Sequence, residues 1–318
     1  MWYWHRTLIV VAFVISLCGA WTSHAATPDR SLNADAVCTR CHDETEAKPV
    51  LAIYKTAHGV KADERTPGCQ SCHGPSEAHV RNATGASTRP LVDIDFGRGS
   101  GSAALIMETC LSCHQNGQRT HWAGSEHQRS DVPCTSCHQI HTHGDRVLTR
   151  TSQPEVCFTC HKTQRAQMLR ISTHPVQAGE MACSDCHNPH GSIGPKLMVK
   201  ASISETCYTC HAERRGPFLW EHSPATEDCT NCHTPHGSNN TPLLKARAPW
   251  LCQACHTSDH SGPMNSAANL PTGAATTIDG RLPLGNQAPR TQMNGRNCLG
   301  CHPMVHGSNH PAGARLSK

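Results

Sequence analysis

The stretch CSDCHNPHG, Cys183 to Gly191, places two thiols and two imidazoles within nine residues, and CTNCHTPHG, Cys229 to Gly237, repeats the arrangement. Two cysteines with two residues between them lie on one turn of helix. The order C-x-x-C-H is the attachment signature of c-type haem. The thiols add to the porphyrin vinyl groups, and the adjoining histidine falls under the iron as its proximal ligand. The second histidine of each stretch, His190 or His236, stands three residues further on. Pro189 pushes Asn188 out of helical geometry and Gly191 permits a further turn. His190 is therefore expected to leave its own haem and reach the distal side of another, as His236 would after Pro235.

The motif recurs ten times. The thiol pairs are Cys38 and Cys41, Cys69 and Cys72, Cys110 and Cys113, Cys134 and Cys137, and Cys157 and Cys160. Cys183 and Cys186, Cys207 and Cys210, Cys229 and Cys232, Cys252 and Cys255, and Cys298 and Cys301 follow. The proximal histidines are His42, His73, His114, His138, His161, His187, His211, His233, His256 and His302. Only Cys18 lies outside a pentad. A disulfide framework gives no reason for a histidine after every second cysteine. Zinc sites need four ligands per centre and do not enforce that order. The cofactors expected are ten covalently attached haem c groups and their iron.

The remaining histidines fix the iron chemistry. Setting aside His5 and His24 near the N-terminus, thirteen are left for ten distal positions. They fall into a repeat of pentad, intervening histidine, second pentad, trailing histidine. The distal set that keeps this repeat is His58, His79, His127, His141, His174, His190, His222, His236, His260 and His306. His121, His143 and His310 fall outside it and are read as surface or hydrogen-bonding residues. Methionine is the other common haem ligand. Met107, Met168, Met181, Met198, Met264, Met293 and Met304 recur at no fixed offset from the pentads and are read as gap-fillers. With imidazole on both faces, no iron keeps a position for substrate. That argues for electron transfer and against catalysis.

The elements that must position these ligands are sparse. The chain has 318 residues and a hydrophobic fraction of 37 %, which includes 21 cysteines. Without those cysteines roughly 30 % remains, well below a globular share. Porphyrin must supply the buried apolar surface that the side chains lack. The expected fold is a multihaem c-type cytochrome of mostly irregular coil, with short α-helices at the C-x-x-C-H motifs and little or no β-sheet. Its core is the ten haems in an extended chain, and without haem it is not expected to fold.

Residues 1–25 read as a signal peptide. The apolar run Thr7 to Trp21 is shorter than the roughly 20 residues a membrane span requires, and Ser23-His24-Ala25 offers a cleavage site. Residues 26–318 are then one decahaem domain of five two-haem units, approximately 30–95, 96–147, 148–196, 197–245 and 246–318. Two stretches without pentads, Val80 to Thr109 and Thr257 to Asn297, read as long surface loops. The formal charge of +4 comes from 28 basic and 24 acidic residues without basic runs, so no nucleic acid is expected as a partner. Each haem brings two propionates against a ferric core of about +1, so ten haems add on the order of −10 oxidised and −20 reduced and make the loaded protein acidic.

Ten pentads in a secreted chain of this length, together with CHGPSEAH at Cys72 to His79, CHNPHG, CHTPHG and the ending CHPMVHGSNHPAG, resemble the MtrA/DmsE/PioA family of periplasmic decahaem cytochromes. The resemblance covers essentially all of the mature chain. It implies a nearly linear, bis-histidine haem wire that sits inside an outer-membrane porin-like β-barrel, with an outer-surface multihaem cytochrome beyond it and periplasmic or inner-membrane redox partners behind. It implies a periplasmic protein tied to the outer membrane through that partner, serving extracellular metal or sulfoxide reduction or iron oxidation. Two other readings compete. One is a multihaem reductase or oxidase of a small nitrogen or sulfur compound, for which the loosely spaced last unit with His260 is the place to look. The other is a soluble periplasmic shuttle.

Overall fold

The computed structural model describes residues 30–60, 66–82, 89–97, 101–256 and 298–317. The signal segment and the whole Thr257 to Asn297 stretch, His260 included, lie outside the described residues. The chain divides into two compact units, 1–95 and 96–318. Among the described residues there is no β-strand, only isolated bridges such as Ser172 with Ser238 and Trp220 with Ser308. Most of the backbone is turn and coil punctuated by helices of one to three turns.

Alternate pentads use two local designs. The first, third, fifth, seventh and ninth begin at or near the C-terminal end of an α-helix. These are α1 (Arg30–Thr39), α4 (Ala103–Leu111), α6 (Gln153–Cys157), α8 (Ile203–Cys207) and α10 (Trp250–Gln253). The second pentad is itself a short helix, α2 (Cys69–His73), followed by α3 (Glu77–Arg81). The fourth, sixth, eighth and tenth open with three-residue 3-10 turns. In nine pentads the second cysteine and the histidine both donate from backbone N–H to the first cysteine's carbonyl, at 2.8 to 3.3 Å. One tight turn thus presents both sulfurs and the imidazole together, which is the geometry haem attachment requires.

Short helices α5 (Glu126–Arg129), α7 (Lys162–Gln167) and α9 (Ser223–Glu227) occupy the connections. Two of the pentad helices carry start signals: Ser202 accepts from the Glu205 N–H at the head of α8, and α6 carries Pro154 in its first turn. The stretch Val80 to Thr109, expected as a surface loop, is not loop throughout. Its last seven residues begin AALIMETCL, which is rich in strong helix formers and forms α4, which buries Ile106 and Met107 and delivers Cys110.

Buried apolar side chains are few among the described residues: Ile106, Met107, Trp122, Phe158, Met168, Val176, Ala182 and Met198. Large aliphatics stand exposed on the polypeptide, among them Leu148, Ile171, Ile193 and Leu219. A chain with so little core of its own depends on an apolar cofactor to bury surface. In unit 1–95 a buried carboxylate does part of the organising instead. Asp35 accepts from the Cys69 N–H at 2.8 Å and from the Tyr54 hydroxyl at 3.1 Å, tying α1 to the second pentad.

Candidate haem-ligating histidine pairs

Seven proximal imidazoles lie beside a histidine from elsewhere in the chain. His42 faces His79 at 6.1 Å between ring centres, His138 faces His190 at 6.1 Å, His187 faces His236 at 5.9 Å and His233 faces His306 at 6.2 Å. His161 faces His127 at 6.1 Å, His211 faces His174 at 6.4 Å and His256 faces His222 at 6.1 Å. A metal–imidazole bond is about 2.0 Å and the nitrogen sits about 1.1 Å from the ring centre, so two imidazoles sharing one metal have centres about 6.2 Å apart. The observed spacings of 5.9 to 6.4 Å fit one metal shared by each pair.

The hydrogen bonds set the tautomers that ligation needs. His79 donates from Nδ1 to the Pro90 carbonyl at 2.8 Å, His127 to Pro189 at 2.8 Å, His174 to Pro235 at 2.9 Å and His222 to Val305 at 2.8 Å. On the proximal side, His73 donates to Ile94 at 2.9 Å, His187 to Lys196 at 3.0 Å, His233 to Pro242 at 3.0 Å and His302 to Arg315 at 2.6 Å. A proton fixed on Nδ1 leaves the lone pair on Nε2 for a metal. Burial pushes the imidazoles of His190, His236, His233 and His306 down from their ordinary range, which favours the neutral form that binds a metal. This donor set fits bis-histidine haem c.

The partners are exchanged between repeats. In unit 96–318 the trailing histidine of a repeat reaches back: His190 to the pentad at Cys134, His236 to the one at Cys183, His306 to the one at Cys229. The intervening histidine reaches forward: His127 to the pentad at Cys157, His174 to that at Cys207, His222 to that at Cys252. The two directions meet in three residues. Pro189 offers its carbonyl to His127, His190 faces His138, and Gly191 turns the chain with φ of +106°. Pro235, His236 and Gly237 repeat this with φ of +143°, and Val305, His306 and Gly307 with φ of +131°. A Cβ on Gly191 would lie 1.9 Å from the His121 carbonyl oxygen, and one on Gly237 would lie 2.1 Å from that of Gln167. Only glycine permits so close an approach at positive φ.

The thiols also line up in series. Within each expected two-haem unit the leading cysteines meet. Cys110 hydrogen-bonds Cys134 and pulls it down to about 7, Cys157 does the same to Cys183, and Cys207 pulls Cys229 to about 6. Burial raises Cys69 to about 12 and Cys252 to about 11; Cys69 shares a hydrogen bond with Cys38, and Cys252 one with Cys298. Between successive units the trailing cysteines meet: Cys137 is raised by burial and then by Cys160, Cys186 by burial and by Asp185 and Cys210, and Cys232 by burial with Cys255 among its neighbours. These shifts belong to free thiols and vanish on thioether formation. What persists within each of the units 1–95 and 96–318 is the order, each attachment point beside the next.

Of the other expected ligands, His58 is half-buried just beyond a 3-10 turn at Val50–Lys55, and His141 is half-buried beyond the fourth pentad. His121 and His143 are exposed. His310 accepts at Nδ1 from the Ala312 N–H at 3.1 Å, the opposite tautomer to the paired histidines. Sequence reasoning missed several supporting groups. The carbonyls of Pro189, Pro235 and Val305 are among them, and the recurring x-H-G phrase was a signal for them. Trp122 is another: buried, with its ring centre 6.3 Å from that of His190.

Residues 127–166, 174–216 and 222–261 each match the doubled CXXCH motif family. The chain is 41 % identical over 286 residues to the multiheme cytochrome MtrA of Shewanella baltica (strain OS185), covering 88 % of this chain and 80 % of the relative. It is 27 % identical over 191 residues to the cytochrome c-type protein NrfB of Haemophilus influenzae, covering 50 % of this chain and 83 % of that protein. Each doubled-motif match begins at a forward-reaching histidine and spans the two pentads whose trailing cysteines meet, so it cuts the repeat in the other phase.

Proposed function

The chain belongs to the MtrA family of multihaem c-type cytochromes, and from that premise we propose that it is an electron conduit of ten haems between the periplasm and the cell exterior. When bound, haem c supplies a one-electron iron couple. The polypeptide supplies the rest. The pentads would hold the groups in a fixed order, and the histidine pairs would ligate them and keep small molecules from the iron. Within residues 96–318 the exchange of ligands between repeats would tie a paired site to the repeat before or after it. His58, His141 and His260 complete the distal set.

The observation that carries this reading is the ring pairing. Seven proximal histidines among the described residues already have an imidazole at iron-bridging distance, and an enzyme of small nitrogen or sulfur compounds needs an open iron. No helix among the described residues is long and apolar enough to cross a membrane. Passage through the outer membrane therefore rests on a partner, and the family resemblance supports a porin-like β-barrel, with an outer-surface multihaem cytochrome and periplasmic donors or acceptors at the two ends.

The test is reconstitution. Liposomes that enclose an oxidised viologen dye and carry this protein with its barrel partner are expected to pass electrons from external dithionite, whereas liposomes with the barrel alone or with neither are not. Recovery of the protein only in the soluble periplasmic fraction, with no transfer across the liposome, would favour the shuttle. Turnover of nitrite or hydroxylamine by the isolated protein would favour the enzyme.

A further inference from the structure

One even-numbered pentad departs from its siblings. The proximal histidines His73, His187, His233 and His302 each donate Nδ1–H to a backbone carbonyl. His138, in the fourth pentad, instead meets the carboxylate of Asp145, Nδ1 to Oδ2 at 2.7 Å. The carboxylate is held in place from its other oxygen. Oδ1 accepts from the Val147 N–H at 3.3 Å, capping the 3-10 turn Arg146–Leu148, and from the Gln139 N–H at 3.3 Å. The Asp145 side chain is only 12 % exposed.

We infer that Asp145 is a potential-setting residue that makes the site of Cys134, Cys137 and His138 the most reducing of the even-numbered haem sites. A carboxylate accepting from Nδ1–H draws the proton toward itself and makes the imidazole a stronger donor. Stronger donation and a nearby fixed negative charge both favour the oxidised iron, and second-shell hydrogen bonding is one of the protein's levers on haem potential. A backbone carbonyl, neutral and weaker as an acceptor, does this less. His190, which faces His138, would add no such push, since its Nδ1 is buried without a hydrogen-bond partner. Arg119 acts on the His190 side in the opposite sense, so the effect of Asp145 is read by varying it alone. His42 meets Glu46 at 2.9 Å, but those side chains are 31 % and 32 % exposed, and water screens the pair.

The site stands between the third and fifth pentads, through Cys110 beside Cys134 and Cys160 beside Cys137. Asp145 therefore builds an energetic step into the interior of the series. An electron arriving from a neighbour oxidises that neighbour and reduces this site less readily than a carbonyl-backed one. The inference rests on the reading that His138 ligates a haem, and not on the barrel or on the direction of current.

The experiment is a potentiometric titration of the purified, fully loaded protein, followed by haem absorbance and by low-spin ferric electron paramagnetic resonance, for the wild type, Asp145→Asn and Asp145→Glu. Asparagine keeps an acceptor oxygen but removes the charge. About one-tenth of the haem absorbance is expected to move to higher potential in Asp145→Asn, by about tenfold in the reduced-to-oxidised ratio at fixed potential, or 59 mV for one electron. One low-spin signal should shift with it, and Asp145→Glu should stay near wild type. Should the asparagine variant load fewer haems, Asp145→Ser, which preserves the cap, replaces it in the comparison. An unchanged titration in a neutral variant of full haem content overturns the inference, leaving Asp145 a turn cap only. So does a shift that Asp145→Glu reproduces. A high-spin ferric signal worth one haem in the wild type, unchanged in His138→Ala, would instead strike at the ligation reading itself.

Discussion

His127 donates from Nδ1 to the carbonyl of Pro189 at 2.8 Å, across 62 residues of chain. The next residue, His190, faces His138. One short segment thus steadies the imidazole that serves the fifth pentad and provides the imidazole that serves the fourth. Two neighbouring sites share a single backbone clip.

Removing the second function alone tests the pairing. In His190→Ala the fourth site loses its distal nitrogen while its thioethers remain, so haem content should be unchanged. One haem's worth of high-spin ferric signal is expected in the electron paramagnetic resonance spectrum, and added imidazole should abolish it. His121→Ala, at an exposed neighbour, should leave the spectrum low-spin. A wholly low-spin His190→Ala spectrum would disprove the assignment.

Gly191→Ala reaches further. Its Cβ would meet the His121 carbonyl oxygen at 1.9 Å, and φ is +106°. Positive φ costs an alanine about 1–2 kcal/mol and the clash about 1–3 kcal/mol more. Both His190 and the Pro189 carbonyl should be displaced, so ligation is expected to loosen at two sites rather than one, with a melting temperature lower by several degrees. Gly144→Ala, where nothing lies within 4 Å of the added carbon, is the control and should melt with the wild type.

These couplings mark the boundary of what the sequence made legible. The pentads announce haem c through residue type and spacing alone, and their turns follow from a three-residue separation. The twofold repeat was also visible, because histidines recur at matching places in it. The forward reach of His127 and the backward reach of His190 were not both visible, because ligand exchange is a tertiary arrangement between segments that share no local pattern. Asp145 was hidden for the same reason. It does at a side chain what its counterparts do with a carbonyl, and carbonyls leave no trace in a sequence. Helix α4 could have been found: its Ala, Leu, Met and Glu outweighed the Gly and Ser of the flanking stretch.

Haem removal tests where the core lies. Buried apolar residues among those described are too few to stabilise a chain of this size. Protein produced without haem attachment, and kept reduced, is expected to show a disordered far-ultraviolet circular dichroism spectrum and rapid proteolysis, whereas the loaded form resists protease. A protease-resistant haem-free chain with the same helical signal would place the core in the polypeptide after all.

The series order makes the sharpest functional prediction. The sixth pentad stands between two neighbours, with Cys183 beside Cys157 and Cys186 beside Cys210. In Cys183→Ala/Cys186→Ala the protein should carry one haem fewer by mass, and His236 should lose the group it shares with His187. If electrons pass through the sites in sequence, the loss of an interior one interrupts the whole path. Transfer across the reconstituted liposome should then collapse, although every remaining haem is still reducible from one side or the other. If the sites act as independent stores, capacity falls by about one part in ten and the transfer rate hardly changes. Measuring capacity and rate on the same sample separates a wire from a reservoir.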